Sequence, residues 1–285
     1  MKKSEDRLKV VENIKAATER GDLNCKVEIG DPTNIDMETV LNFDVMRQQP
    51  INKIKKLIAT KIANEYTKIF NRDTEIVGLE NVKGIRTGAI ITCNHFSPQD
   101  STVIRYFTNK IHKKHKLDII IEESNIFMTG QFGFLMNNCG TIPISQSKQY
   151  ISQSFMPAME YYLKKRHFIL IYPEEEMWFN YRKPRPFKIG AYHIAVKNDV
   201  PIISCFIEMK EIPGEYDENG FNKLKYVLHI LPTIYPDQDK DYQEAKKEMM
   251  NKDFEQKKEC YERVYHKKLT YDFSEEDIAG LKEDE

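Results

Sequence analysis

Ala89-Ile90-Ile91-Thr92-Cys93-Asn94-His95-Phe96-Ser97-Pro98-Gln99-Asp100 is the stretch on which the reading of the chain turns. Its apolar opening predicts a buried strand, and Ser97-Pro98 predicts a helix N-cap followed by proline at the first helical position. His95 therefore falls at a strand-to-helix corner. In open α/β sheets, such corners at the carboxyl ends of strands hold ligands and reacting groups.

Asp100 follows His95 by five residues and lies in the first helical turn, so its carboxylate is within reach of the imidazole if the turn closes normally. A carboxylate on one ring nitrogen fixes the tautomer and leaves the other nitrogen free to accept a proton. A neutral histidine held in this way is a natural general base near pH 7. The same carboxylate, three residues after Ser97, also suits a capping arrangement that favours the helix dipole. The pair alone leaves both readings open.

Asn94-His95, four residues, then Asp100 resembles the first block of the glycerolphosphate and lysophosphatidate acyltransferase family. Three further stretches resemble its other blocks in order and approximate spacing: Gly140-Thr141-Ile142-Pro143-Ile144, Leu170-Ile171-Tyr172-Pro173-Glu174 and Val200-Pro201-Ile202-Ile203. Phe187-Lys188-Ile189-Gly190-Ala191 is similar to the family's lysine-glycine helix start. The resemblance covers about residues 74–235, and the ordered set is more specific than any block alone. It implies a divergent acyltransferase, in which His95 is the base, Asp100 orients it and Glu174 helps to position the acyl acceptor. The expected substrate-binding set is Asn94, Gly140, Thr141, Pro173, Glu174, Arg182 and Lys188.

The departures carry information too. Where the second block often ends in an acceptor-binding arginine, the chain has Ile144-Ser145-Gln146-Ser147-Lys148. Glycine, threonine and arginine usually follow the third-block glutamate, but Glu175-Glu176-Met177 stand here. Neither place retains a guanidinium fork for phosphate. The expectation is that Lys148, Arg182, Lys183 or Arg185 takes over the anion site, or that the acceptor is not the usual phosphomonoester. Lys188 and Gly190 open a helix whose free amides suit an anion. Trp178 suits either core packing or contact with an acyl chain or headgroup.

The 285 residues are 40% hydrophobic and 31% charged, and 43 basic against 44 acidic side chains give a net charge of -1. That balance offers no general attraction to nucleic acid. Five scattered cysteines, Cys25, Cys93, Cys139, Cys205 and Cys260, lack metal-ligand spacing and read as reduced thiols of a cytoplasmic protein. His112 and His115 have the spacing of a helical metal pair but no carboxylate partner, so no metal is expected. No apolar run has the length of about 20 residues that spans a bilayer, and no signal peptide is visible behind Met1-Lys2-Lys3.

Alternating strand and helix signals predict a mixed, largely parallel α/β sheet flanked by helices, with an N-terminal helical extension and a C-terminal helix. The expected division is an extension over 1–45, a basic amphipathic helical segment over 46–72, an acyltransferase-like α/β domain over 73–236 and a charged helical tail over 237–285. Ser4–Arg20 reads as an amphipathic helix whose packing partner is unreadable, and Gly30-Asp31-Pro32 reads as a turn. Residues 51–70 combine Ile51, Ile54, Leu57, Ile58, Ile62, Tyr66, Ile69 and Phe70 with lysines, a pattern that suits a membrane interface or a helix packed on the sheet. The tail helix has mixed charge and reads as solvated on one face. Ser274–Glu285 reads as frayed.

The function implied by the resemblance is transfer of a fatty acyl group from an acyl thioester to a hydroxyl of a lysophospholipid or related lipid. The donor is acyl-CoA or acyl-carrier protein, and no cofactor is implied. The expected location is cytoplasmic, peripheral on the inner face of the cell membrane. An amino- or glycolipid acceptor, or a lipid-binding scaffold that has lost efficient catalysis, is the alternative that the missing arginines allow.

Overall fold

The computed structural model describes residues 2–30, 36–41, 50–111 and 116–281. The His112/His115 pair and most of the Gly30–Pro32 turn lie outside them. Seven strands form one sheet: β1 (Glu75–Val77), β2 (Ala89–Thr92), β3 (Leu117–Glu122), β4 (Thr141–Ile144), β5 (Phe168–Ile171), β6 (Ile202–Tyr216) and β7 (Asn222–Ile230). Their spatial order is β1-β7-β6-β2-β5-β3-β4. Neighbours run parallel except β6 and β7, which are antiparallel. The expected mixed, largely parallel sheet is what the chain forms.

β2 lies between β5 and β6, and all four of its residues are buried, as a continuous apolar run in a sheet covered on both faces requires. The chain leaves β2 towards β3 on one side and returns from β5 to β6 on the other. That reversal opens a crevice at the carboxyl end of β2. β4 carries Pro143 in mid-strand, a signal against a strand, yet it forms at the sheet edge, where proline is tolerated.

The flanking helices include α1 (Glu5–Glu19), α2 (Pro50–Phe70), α3 (Asp100–Ile111), α4 (Gly190–Lys197) and α5 (Tyr242–Tyr265). α3 begins at Asp100 rather than at Pro98. Ser97 oxygen atoms accept from the amides of Gln99 and Asp100, so residues 97–99 form a turn ahead of the helix. α2 buries Ala59 and Thr67, whereas Leu57 is 73% and Ile69 74% exposed.

A second apolar cluster supplies the partner of α1. Val10, Val11, Ile14 and Ala17 pack with Trp178, Phe179, Tyr181, Phe221 and Ile278. Trp178 is thus a core residue, and its indole donates to the Cys25 carbonyl. The end of the described chain is ordered by the same cluster, contrary to the fraying expected from its polarity. Ser274 and Asp277 form a capping box, Asp277 pairs with buried Lys183 at 2.7 Å, and Ile278 and Ala279 are buried. The tail helix keeps the expected solvated face, and its buried face also takes in Asp253 and Lys257 of α5, each neutralising the other and reaching polar groups of the neighbouring elements.

Candidate active site

The register of β2 sets the site. Thr92 lies beside Ile171 of β5 and Ser204 of β6, so the chain just beyond Thr92 and the chain just beyond Ile171 leave the sheet at the same level. Asn94 then replaces strand backbone with its side chain. Its Nδ2 donates to the Ile207 carbonyl at 3.1 Å and its Oδ1 accepts from the Ile207 amide at 2.8 Å. This bidentate clamp turns the backbone and aims His95 out of the sheet. The loop after β5 holds the corner from the other side, with the Trp178 amide donating to the His95 carbonyl and the Asn180 amide to that of Phe96.

His95 Nδ1 lies 2.8 Å from Asp100 Oδ2. An ionised carboxylate only accepts, so Nδ1 carries the proton in the neutral ring and Nε2 is the free acceptor. Nε2 has no hydrogen-bond partner among the described residues. The imidazole is 19% exposed, while Asp100 is 1% exposed, which leaves the ring accessible and the carboxylate that orients it sealed. Asp100 Oδ2 also accepts from the amides of Phe96 and Ser97 at 3.0 and 3.2 Å. The two sequence readings of Asp100 are therefore realised together: the carboxylate that caps the corner is the one that holds the imidazole.

The third block contributes more than its glutamate. Tyr172 stacks on His95 with ring centroids 3.9 Å apart and planes 14° apart, and its hydroxyl donates to Asp100 Oδ1 at 2.5 Å. Nothing local in the sequence pairs Tyr172 with Asp100, and only the β2–β5 register could have found the contact. Burial and the charge of Asp100 hold the Tyr172 hydroxyl well above the ordinary phenol range, so it remains a donor.

Glu174 is buried, and its carboxylate is taken up within the protein. The Arg185 amide donates to one oxygen at 3.2 Å, and the Arg185 guanidinium lies 3.1 Å from the other. Burial pushes the carboxyl up from its ordinary value, against the downward pull of Arg185 and the His95 amide. Arg185 is itself fully buried; it donates to the carbonyls of Leu23 and Glu176 and lies over the Trp178 ring at 4.6 Å. Pro173 is buried beside Glu174, and its carbonyl accepts from the amide of Lys188, whose side chain is exposed at the start of α4.

The remaining candidates lie elsewhere. Gly140 and Thr141 stand at the amino end of β4, at the far edge of the sheet from the corner. Gly140 has φ +69, and a Cβ there would come 2.8 Å from the Leu117 carbonyl, which explains the glycine structurally. Thr141 bonds the Met136 carbonyl. Arg182 pairs with Glu211 at 2.5 Å and lies over Tyr265, while Lys183 holds Asp277. The basic run thus ties the loop to the C-terminal segment. Lys148 is exposed at the start of the helical segment that follows β4.

Directly behind the corner lies a group that sequence reasoning missed. Thr92 donates to Asp253 Oδ2 at 2.7 Å, Tyr192 of α4 donates to the same oxygen at 2.6 Å, and Lys257 Nζ lies 2.5 Å from Oδ1 and 2.8 Å from the Thr92 hydroxyl. It anchors α5 and α4 to the last residue of β2.

The chain is thus a mixed α/β domain with a histidine–carboxylate dyad on the corner after a central parallel strand and a buried glutamate in the loop beyond the neighbouring strand β5. Residues 73–208 match the family model for Acyltransferase, and that segment is a divergent acyltransferase domain. It is 27% identical over 164 residues to the 1-acyl-sn-glycerol-3-phosphate acyltransferase BAT2, chloroplastic, of Brassica napus. That alignment takes in 58% of this chain and 44% of the relative, so the chain spans less than half the length of the curated protein it matches. The crystal structure of the 1-acyl-sn-glycerophosphate (LPA) acyltransferase PlsC from Thermotoga maritima superposes with a TM-score of 0.54 at 16% identity, covering 93% of this chain and 96% of that one. At that identity the likeness is one of fold.

Proposed function

We propose that this chain transfers a fatty acyl group from an acyl thioester, acyl-CoA or acyl-carrier protein, to a hydroxyl of a lysophospholipid or related lipid. The observation that carries the reading is the His95–Asp100 dyad, with Nδ1 tied at 2.8 Å and Nε2 open. Nε2 takes the proton of the acceptor hydroxyl as its oxygen attacks the thioester carbonyl. The tetrahedral adduct then collapses, the carbon–sulfur bond breaks, and the imidazolium returns the proton to the departing thiolate. No acyl-enzyme is needed, and holding two long substrates in register supplies much of the rate.

α2 supports a peripheral position on the membrane. Ile51, Ile54, Leu57, Ile58, Ile62 and Ile69 are all exposed on it among Lys53, Lys55, Lys61 and Lys68, the composition of a helix lying in an anionic interface. No helix among the described residues is long and apolar enough to cross a membrane.

One observation favours a second reading of the acceptor. Arg182, Lys183 and Arg185 are each engaged by carboxylates and carbonyls of the chain itself, which leaves Lys148 and Lys188 as the exposed ones among the cations expected to serve an anion site. That favours a hydroxyl or amine on an amino- or glycolipid over a phosphomonoester.

Labelled acyl-CoA and acyl-carrier protein, offered with a panel of lysophosphatidate, amino-lipid and glycolipid acceptors on anionic vesicles, test these readings together. The wild-type chain is expected to sediment with the vesicles and form a labelled lipid, and His95→Ala to sediment equally while losing activity about 10³-fold or more. Equal product from both proteins would sink the mechanism, and product from lysophosphatidate alone would remove the second acceptor reading.

A further inference from the structure

We propose that Tyr172 is a positioning residue for the base, locking the His95 ring and the Asp100 carboxylate into one unit by a stack on the first and a hydrogen bond to the second. The inference rests on the acyl-transfer reading of His95 and adds to it a third group. Its geometry comes from two independent contacts of a single side chain. The ring lies face to face with the imidazole at 3.9 Å and 14°, which blocks rotation of His95 about its side-chain bonds towards β5. The hydroxyl reaches past the ring to Asp100 Oδ1 at 2.5 Å.

Asp100 is thereby fully committed. Oδ2 takes the imidazole and two backbone amides, and Oδ1 takes the phenol. With the amides alone, the carboxylate retains freedom to tilt about Oδ2; the phenol removes it, and the direction of Nε2 is fixed with it. Near-attack geometry is sensitive to displacements on the order of 1 Å, so this restraint acts on the rate rather than on binding.

The hydroxyl also withdraws negative charge from the carboxylate, and thus tempers the attraction that Asp100 exerts on a protonated imidazole. The other titratable groups near the unit stay the same when the hydroxyl is removed. Cys93 is buried beneath, with its thiol held well above its ordinary value by desolvation. Tyr226 faces Asp100 and is likewise pushed up by burial. Glu174 faces His95 but is held by Arg185. Ser101 of α3 lies near enough to the Tyr172 hydroxyl to pull its value down against the effect of burial. An aromatic ring without a hydroxyl would keep the stack and lose the link, so the two contacts are separable.

Tyr172→Phe and Tyr172→Leu are the variants, read by NMR titration of the His95 imidazole and by kcat and KM for acyl transfer. The His95→Gln spectrum identifies the resonance among the seven histidines. In Tyr172→Phe the midpoint of the imidazole is expected to move to higher pH than in wild type, with kcat lowered about tenfold and KM unchanged. Tyr172→Leu is expected to lower kcat about tenfold further, since the stack is lost as well. A Tyr172→Phe protein with the wild-type midpoint and the wild-type kcat overturns the proposal. If the wild-type chain transfers no acyl group, the acyl-transfer reading falls, and the imidazole midpoint alone decides whether Tyr172 tunes His95.

Discussion

Two buried carboxylates flank the end of β2, and they are built alike. Asp100 receives a tyrosine hydroxyl at 2.5 Å and a basic side chain, His95, at 2.8 Å; Asp253 receives a tyrosine hydroxyl at 2.6 Å and a basic side chain, Lys257, at 2.5 Å. They differ in where the base lies. The His95 side chain is 19% exposed and open to the outside, while Lys257 is 0% exposed and meets Asp253, Thr92 and the face of Phe187. On the proposed mechanism, the same carboxylate–phenol pair thus serves chemistry where its base is open, and it fastens a helix to a strand where its base is closed. Exposure of the base, rather than the set of partners, separates a site from a staple.

The sealed group carries the largest expected effect. Asp253→Ala leaves the Lys257 ammonium buried against the Thr92 hydroxyl and the Phe187 ring with no counter-charge, and a buried charge stripped of its partner costs about 3–5 kcal/mol. Thermal unfolding should show a melting temperature lower by about 10 °C. An unchanged melting temperature would break the comparison at its structural half.

Asp100→Asn tests the other half. The amide keeps roughly the same shape but offers no charge, and the orientation and tautomer of His95 are no longer enforced. kcat is expected to fall about 10²–10³-fold in the acyl-transfer assay. The melting temperature should drop far less than for Asp253→Ala, because the backbone amides of Phe96 and Ser97 can still donate to the carboxamide oxygen. Loss of folding together with loss of activity in this variant would make Asp100 a second staple.

The legible part of this site is the part written in short separations. The apolar run into Asn94-His95 and the carboxylate five residues on lie within one turn of chain, so their pairing follows from local geometry. The parallel sheet follows from alternating patterns of the same kind. Tyr172 reaches Asp100 across 72 positions, and only the pairing of Thr92 with Ile171 brings them together. Asp253 and Lys257 fall in a tail helix read as charged and solvated on one face, and their charge hides that they share the buried line of Ala245, Met249 and Tyr261. Arg182, Lys183 and Arg185 read as a free basic run because their acceptors, Glu211, Asp277 and Glu174, are supplied by other segments. Gly140 and Thr141 were grouped with the corner by block order, yet the strand that carries them lies at the sheet edge and begins at its opposite end.

The smallest expected effect sharpens the comparison most. If the sealed group only staples α5 and α4 to β2, its polarity is dispensable so long as no member is left alone. Replacing the whole set, with Thr92→Val, Tyr192→Phe, Asp253→Leu and Lys257→Met, removes every polar atom at once and leaves an apolar contact of similar volume. Apolar substitution of a buried ion pair is commonly neutral or stabilising, since the desolvation of two charges no longer has to be offset. The quadruple variant is therefore expected to unfold within about 2 kcal/mol of wild type, well above Asp253→Ala, and to retain acyl transfer. Retained stability with lost activity would mean that the charge on Asp253 reaches His95 through Thr92 and Cys93. In that case the two carboxylates would act as one site, with exposure no longer the property that divides them.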